Sequence, residues 1–290
     1  MPRFPIAPHR SGAAGLVYHE FGDPSGKPVV FHHGWPSAGS QGQLLDEAAK
    51  ELGVRVLSPN RPGIGGSDLV PGRGFQDWPD QLGRFLDDLG ITEPVGILGM
   101  SGGGPYALSA CWGMPDRISK AGIVCGAGEI GGNSGDLVWP YRAMIAIGRK
   151  SPQAVGVAIR LGHWLTTLPG DFFGPRSKIV GLPECDRAVL AIPEKAAIIS
   201  ESYSESMSGK VAGVVADGQL YVEPWGFDPA EIAIPVRFWH GKLDKNILPR
   251  LPEALECKIP GGEIEWFEED GHYSLPLLRP KMILQQLLAT

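Results

Sequence analysis

Short apolar runs alternate with amphipathic segments along most of the chain. The runs are of strand length, and the segments between them repeat apolar residues at helical spacing. The predicted strands are Leu16–Phe21, Pro28–His33, Val54–Ser58, Val95–Gly99, Ile118–Cys125, Val236–His240 and Glu263–Phe267. The predicted helices are Ser37–Leu52, Phe75–Leu89, Gly102–Trp112, Leu251–Cys257 and Leu277–Leu288. This alternation predicts an α/β fold whose sheet is largely parallel and buried.

Residues 129–228 interrupt the alternation. Their pattern is mostly helical and lacks clear strands. We interpret them as an insertion into one α/β domain, whose two parts are residues 1–128 and 229–290. The insertion is rich in aromatic side chains, which either pack it onto the sheet or line an apolar substrate pocket. Three aromatic residues are predicted to contact substrate: Trp139, Trp164 and Tyr203.

Charge and composition argue against some classes of function. The 290 residues carry a net charge of −6, with 43% hydrophobic and 20% charged residues, which is a globular composition. No basic run stands out, so nucleic acid and anionic membranes are not expected partners. Residues 1–12 contain no apolar leader, and the apolar stretch 154–168 is too short and too polar to span a bilayer. We predict a cytoplasmic protein and leave its oligomeric state open.

Cysteine and histidine positions do not suggest a metal centre. The four cysteines lack CxxC or zinc-finger spacing and are predicted to be separate, mostly buried thiols. They are Cys111, Cys125, Cys185 and Cys257. His32 and His33 are adjacent on a predicted strand and therefore point to opposite faces. We predict neither a metal nor a cofactor.

Residues 99–103 read Gly-Met-Ser-Gly-Gly at the junction of a predicted strand and a predicted helix. They fit the pattern G-x-S-x-G, in which serine occupies a sharp, strained turn that glycines make sterically possible. The hydroxyl group then projects from the carboxyl edge of the sheet, beside a helix N-terminus that favours negative charge. We predict Ser101 as a nucleophile; the alternative is a glycine-rich turn without catalysis.

Two later turns supply partners for this serine. Residues 240–244 and 270–273 each follow a predicted strand and contain Asp244 and His272. The chain order Ser…Asp…His is the order found with the G-x-S-x-G turn. His272 would accept the Ser101 proton, and Asp244 would hold the other ring nitrogen.

Other residues near the predicted strand ends are candidates for the role of Asp244. Glu129 also follows a predicted strand and is the second candidate. Asp270 is too close to His272 in sequence, and His240 is assigned to the end of its strand.

Residues 33–36 read His-Gly-Trp-Pro at another strand end. Gly34 would allow close backbone approach, and the tight turn suggests a cis bond before Pro36. The N–H groups of Trp35 and Gly102 are predicted to form an oxyanion hole. A Gly-Pro loop without this role is the alternative.

These motifs together resemble the α/β-hydrolase superfamily over nearly the whole chain. The matching pieces are residues 33–36, the Arg-Pro-Gly-Ile-Gly-Gly-Ser loop at 61–67, the turn at 99–103, Asp244 and Gly271-His272. The resemblance implies a mostly parallel eight-stranded sheet with helices on both faces. It also implies a mobile helical cap between strands six and seven, which corresponds to residues 129–228.

The His-Gly-x-Pro loop is similar to that of epoxide hydrolases and haloalkane dehalogenases. Those enzymes attack with an aspartate at the turn, whereas this chain has Ser101, which indicates acyl transfer. The expected activity is hydrolysis of a carboxylic ester or lactone of an apolar small molecule. Carbon–carbon or amide bond hydrolysis by the same triad, and a slow or non-catalytic ligand receptor, are the alternatives.

Overall fold

A central β-sheet organises the described part of the protein. The computed structural model describes residues 8–129, 181–208 and 211–289, together with a few isolated positions between 147 and 161. Within these residues the sheet has eight strands in the order β1-β2-β4-β3-β5-β6-β7-β8. Only the pairs β1–β2 and β2–β4 are antiparallel. The strands are β1 His9–Arg10, β2 Val17–Gly22, β3 Lys27–His32, β4 Val54–Pro59, β5 Val95–Met100, β6 Ile118–Val124, β7 Val236–Gly241 and β8 Glu263–Phe267.

The helices, numbered through the described residues, follow the sheet strands or lie in the insertion. They are α1 Asp46–Leu52, α2 Trp78–Asp88, α3 Gly104–Gly113, α4 Glu184–Leu190, α5 Pro193–Met207, α6 Val211–Leu220, α7 Arg250–Glu256, α8 Ser274–Leu278 and α9 Pro280–Ala289. Short 3-10 turns cover Gly39–Leu45, Phe75–Asp77, Ser101–Gly103, Pro115–Arg117 and Pro229–Glu231.

Helices cover both faces of the sheet. Neighbouring strand residues point to opposite faces, so Val30 and Ile97 join one apolar cluster while Val29 and Leu98 join another. The first cluster contains buried residues of α2 and α3, and the second contains those of α1 and α9. All six residues of β5 are buried, which places this strand at the centre of the fold. The α/β architecture with a mostly parallel sheet is confirmed.

The seven predicted strands are all present, with ends within one residue of the prediction. Two helix predictions were wrong in detail. Residues 39–45 form a 3-10 turn before α1, where a Cβ on Gly39 would lie 2.3 Å from the Ser58 carbonyl oxygen. The C-terminal segment is two helices, α8 and α9, because Pro280 cannot continue a helix and begins a new one.

The segment between β6 and β7, called the insertion below, contains α4, α5 and α6 in its described part. The predicted limits of the insertion, 129 and 228, stay a prediction. Trp139 and Trp164 lie outside the described residues, so their predicted contact with substrate also stays a prediction.

The cysteines are free thiols, as predicted, but their predicted burial was only partly right. Cys111 and Cys125 are buried, Cys185 is half-buried and Cys257 is exposed. Cys257 directly follows α7, where the chain reaches the surface. Among the described helices, none combines the length and the apolar character that a membrane span requires.

Candidate active site

The turn after β5 carries Ser101 in a left-handed backbone conformation. Ser101 has a φ of 52°, which a non-glycine residue keeps only where the surrounding structure enforces it. A Cβ on Gly99 would lie 2.6 Å from the carbonyl oxygen of Gly103, and one on Gly103 would lie 2.0 Å from that of His32. Glycine is therefore required at both positions, for the steric reason that the motif suggested.

His272 and Asp244 form a hydrogen-bonded pair at the same edge of the sheet. His272 Nδ1 lies 2.8 Å from Asp244 Oδ2, and both residues are buried. The other carboxylate oxygen, Oδ1, accepts hydrogen bonds from the backbone N–H groups of Asn246 and Ile247 at 2.8 and 2.9 Å. Because the aspartate is held on both sides, it favours the neutral form of His272 that carries its proton on Nδ1 and leaves Nε2 unprotonated.

The electrostatic surroundings favour a charged His272. Burial lowers its pKa, but the charge of Asp244 and the hydrogen bond to it act in the opposite direction, and the pKa is raised above 6.5. His240 is 3.5 Å from Asp244 Oδ2 and only 3.0 Å from the carbonyl oxygen of Ile247. Burial lowers the pKa of His240, so its neutral ring donates to Ile247 and leaves Asp244 to His272.

Glu129, the second candidate for the acid, has a different partner. Its carboxylate forms an ion pair with Lys258. Asp244 is therefore the predicted acid that the structure brings to His272.

The turn after β6 connects the Ser101 turn to the His272 turn. The Ala127 N–H donates to the Ser101 carbonyl oxygen at 2.9 Å, and Cys125 Sγ lies 3.7 Å from the Gly271 carbonyl oxygen. Side-chain atoms of Cys125, Asp244 and His272 lie within 4.8 Å of one another. Burial raises the pKa of the Cys125 thiol, so this trio fits a hydrogen-bonded Asp–His pair beside a neutral thiol better than a metal site.

The loop after β3 brings a backbone amide beside the Ser101 turn. A Cβ on Gly102 would lie 3.1 Å from the backbone nitrogen of Trp35, so the two predicted oxyanion-hole residues are adjacent. The Gly34 N–H donates to Gln41 Oε1 at 2.7 Å. The bond between Trp35 and Pro36 is cis, as expected.

Arg61 fixes the loop after β3 through hydrogen bonds to its main chain. Its guanidinium group donates to the carbonyl oxygens of His33 and Gly34, the latter at 2.7 Å. It also donates through Nε to Asp217 Oδ2 at 3.0 Å, and the side chains of both charged residues are wholly buried. Since Asp217 belongs to α6, a helix of the insertion fixes the position of the loop after β3.

Asp217 is the centre of a buried charge network. Its Oδ1 accepts hydrogen bonds from Arg73, at 2.8 Å, and from the Tyr106 hydroxyl group. Burial raises the pKa of Asp217, but the charges of Arg61 and Arg73 outweigh it and lower the pKa to about 2. The indole N–H of Trp35 donates to the Val214 carbonyl oxygen at 2.9 Å, again on α6. The loop after β3 and α6 therefore form one connected unit.

A family model described as the alpha/beta hydrolase family matches residues 29–286. The chain belongs to the alpha/beta hydrolase family. Curated relatives include a non-heme chloroperoxidase from Streptomyces lividans, 31% identical over 115 residues, and a bifunctional esterase/perhydrolase from Acinetobacter calcoaceticus, 26% identical over 110 residues. These matches cover 39% and 38% of this chain. The chain spans 42% and 40% of the length of these relatives.

Solved structures extend the resemblance to the whole fold. An esterase from Exiguobacterium antarcticum has a TM-score of 0.65 at 20% identity and covers 94% of both chains. A bromoperoxidase from Bacillus anthracis has a TM-score of 0.68 at 19% identity and covers 95% of both chains. At these identities the likeness supports the alpha/beta hydrolase fold and does not assign a substrate.

Sequence reasoning missed three residues that hold the site of this alpha/beta hydrolase together. Arg61 appeared only as part of a glycine-rich loop, and Asp217 and Asp186 were not singled out. Asp186 is wholly buried on α4 and accepts a hydrogen bond from the His272 backbone. Buried charge is expensive unless it is paired, but an aspartate within a helical pattern gives no signal of its burial. Tyr203 is half-buried on α5, and its predicted contact with substrate stays a prediction.

Proposed function

We propose that this alpha/beta hydrolase cleaves a carboxylic ester or lactone through an acyl-enzyme intermediate. The observation that carries the proposal is Ser101, held at a φ of 52° between two obligatory glycines, at the sheet edge where His272 pairs with Asp244. A serine hydroxyl group needs a base to attack at neutral pH, and His272 is the base of the proposed site.

In the first half of the reaction, Ser101 Oγ attacks the carbonyl carbon while His272 Nε2 accepts its proton. Asp244 stabilises the imidazolium ion through Nδ1. The N–H groups of Trp35 and Gly102 donate to the developing oxyanion. His272 then returns the proton to the alcohol oxygen, the carbon–oxygen bond breaks and the alcohol leaves.

In the second half, His272 removes a proton from water, which attacks the acyl carbon. The tetrahedral intermediate collapses, the acid leaves and Ser101 regains its proton from His272. In a lactone the alcohol and acid remain in one molecule, so the product is a hydroxy acid. The substrate is proposed to be an apolar small molecule, in keeping with the aromatic composition of the insertion.

The test is hydrolysis of a p-nitrophenyl ester by the wild type and by Ser101→Ala. Loss of the nucleophile should reduce kcat/KM by at least about 1,000-fold, because triad members act as a unit. Ser200→Ala is the matched control, since Ser200 is exposed on α5. Wild-type turnover by a folded Ser101→Ala protein would contradict the proposal.

A fluorophosphonate probe and a substrate panel separate the alternatives. Labelling at Ser101 supports the nucleophile, and absence of labelling in the wild type would favour a ligand receptor on the hydrolase scaffold. Among esters, lactones, amides and vinylogous diketones, preference for the last two classes would indicate amide or carbon–carbon bond hydrolysis instead.

Perhydrolysis is a second candidate, favoured by the relatives named as a bifunctional esterase/perhydrolase and as non-heme chloroperoxidases. In this reaction hydrogen peroxide replaces water in the second half, and the acyl group leaves as a peroxy acid. Peroxy acid formation from an ester and hydrogen peroxide, lost in Ser101→Ala, is the expected result if this activity is present.

A further inference from the structure

Asp186 is a buried carboxylate in the insertion. It lies on α4 and has no measurable exposure. Among the residues that the structure describes, it has no ion-pair partner, and its oxygens accept backbone hydrogen bonds instead. A buried carboxylate is stable only when its oxygens are well satisfied, and these hydrogen bonds satisfy them.

The hydrogen bonds all come from the turn that carries His272. The backbone N–H of His272 donates to Asp186 Oδ2 at 2.9 Å. Those of Tyr273 and Ser274 donate to Oδ1 at 2.9 and 2.8 Å. The N–H of the preceding residue, Gly271, donates to Ser274 Oγ at 2.7 Å. Four successive amides are therefore tied, three of them to one side chain of the insertion.

Gly271 makes this contact sterically possible. A Cβ at this position would lie 2.5 Å from Asp186 Oδ2, a distance that no side chain can occupy. The glycine before His272 therefore does more than allow a turn: it leaves room for the carboxylate. Apolar packing supports the same contact, because Val189 of α4 shares a cluster with Leu275 and Leu277 of α8.

We infer that Asp186 is a positioning residue for the proposed base: it fixes the backbone of the His272 turn so that the imidazole stays aligned with Asp244 and Ser101. The inference rests on the proposed function. Asp244 holds the ring of His272 and Asp186 holds its main chain, so two carboxylates from different parts of the fold determine one side-chain position. A displacement of about 1 Å at a reacting group can cost about 100-fold in rate.

The charge of Asp186 should affect the pKa of His272, which packing alone would not do. Burial lowers the pKa of His272, the charge and hydrogen bond of Asp244 raise it, and the charge of Asp186 adds to the rise. In the described part of the chain, the other titratable groups of this site are His240, beside Asp244, the Cys125 thiol and Tyr273, whose ring lies 5.2 Å from that of His272. Removal of the Asp186 charge should therefore lower the pKa of His272.

The experiment compares Asp186→Asn with two variants of α4 in the full-length protein. Asp186→Asn keeps the size and one acceptor oxygen but removes the charge. Glu184→Gln removes the same charge from a side chain that is 92% exposed. Val189→Ala weakens the packing of α4 and leaves the carboxylate in place. Ester turnover, thermal stability and the NMR titration of the His272 ring are measured for each.

For Asp186→Asn we expect kcat to fall about 10- to 100-fold, with KM within about twofold of the wild type. The His272 titration and the acid limb of the pH profile should move down by about 0.5 pH unit. Glu184→Gln should match the wild type. Val189→Ala should lower stability without moving the titration.

Wild-type kcat and His272 titration in Asp186→Asn would overturn the inference. So would a fall in kcat with an unchanged titration, or failure of the variant to fold, because either result would show a purely structural role. The titration needs no substrate. If the wild type hydrolyses no ester, the proposed function fails, while the positional role of Asp186 is still decided by NMR.

Discussion

The turn that carries Ser101 and the turn that carries His272 meet at one edge of the sheet but are held in different ways. The Ser101 turn is shaped by glycines that leave room for backbone oxygens: Gly99 faces that of Gly103 within the turn, and Gly103 faces that of His32 at the end of β3. The His272 turn depends on Asp186, which is 86 residues away along the chain.

The loop after β3 resembles the His272 turn in this respect. Its carbonyl groups are held by Arg61, and Arg61 is neutralised by Asp217, which is 156 residues further along the chain. Two of the four turns that carry residues of the proposed site therefore rely on buried aspartates of the insertion. In this protein the insertion supports the proposed catalytic machinery, in addition to any contact with substrate.

The largest expected effect comes from breaking the buried ion pairs that fix the loop after β3. Asp217→Asn removes the charge that neutralises Arg61 and Arg73, both of which remain buried. The free energy of unfolding should fall by about 3–5 kcal/mol, because an uncompensated buried charge is strongly destabilising. Urea denaturation measures this difference.

The control is the surface pair of Asp87 and Arg117, at 3.0 Å, in which the aspartate side chain is 65% exposed. Asp87→Asn should change stability far less, since solvent screens exposed pairs. Equal free energies of unfolding for Asp217→Asn and Asp87→Asn would show that the buried network does not stabilise the loop after β3.

A smaller effect is expected from crowding the Ser101 turn. Gly103→Ala places a Cβ 2.0 Å from the His32 carbonyl oxygen, which must move the backbone. We expect a loss of about 1–3 kcal/mol, typical of overpacking, and a fall in esterase activity. Chemical denaturation and the ester assay measure the two effects.

Gly83→Ala is the matched control, because Gly83 lies within α2 and no atom lies within 4 Å of a Cβ built there. This variant should be stabilised by about 0.5–1 kcal/mol, since alanine is the better helix former. Equal stability of Gly103→Ala and Gly83→Ala would show that the Ser101 turn is not sterically constrained.

The smallest expected effect is a shift of the pH profile. Only neutral His272 can act as a base, and its pKa is raised by Asp244 in spite of burial. The acid limb of kcat/KM, which reports the free enzyme, should therefore have its midpoint above pH 6.5. Activity is lost as the pH falls through this value. A midpoint at or below 6.5 would show that the charges around His272 do not raise its pKa.

The parts of the molecule that follow from short sequence patterns were predictable from the sequence. Strand positions followed from continuous apolar runs, and the Ser101 turn followed from the glycines around it. The predicted acid, Asp244, contacts His272, whereas Glu129 is paired with Lys258. The helix predictions were wrong where packing overrides the hydrophobic pattern, as in the 3-10 turn before α1. They were also wrong where Pro280 divides the last helical segment.

Sequence alone determined the alternation of strands and helices and the residue types of the proposed Ser101, His272 and Asp244 triad. Both leave a local pattern in the sequence: hydrophobic periodicity in the strands and helices, and glycine at positions where a crowded turn excludes a Cβ. Only the tertiary structure decided that Asp186 and Asp217 hold two of the turns. Their burial and their partners depend on segments far apart in the chain, and the free energy of a charged group depends on how much solvent the folded protein leaves around it.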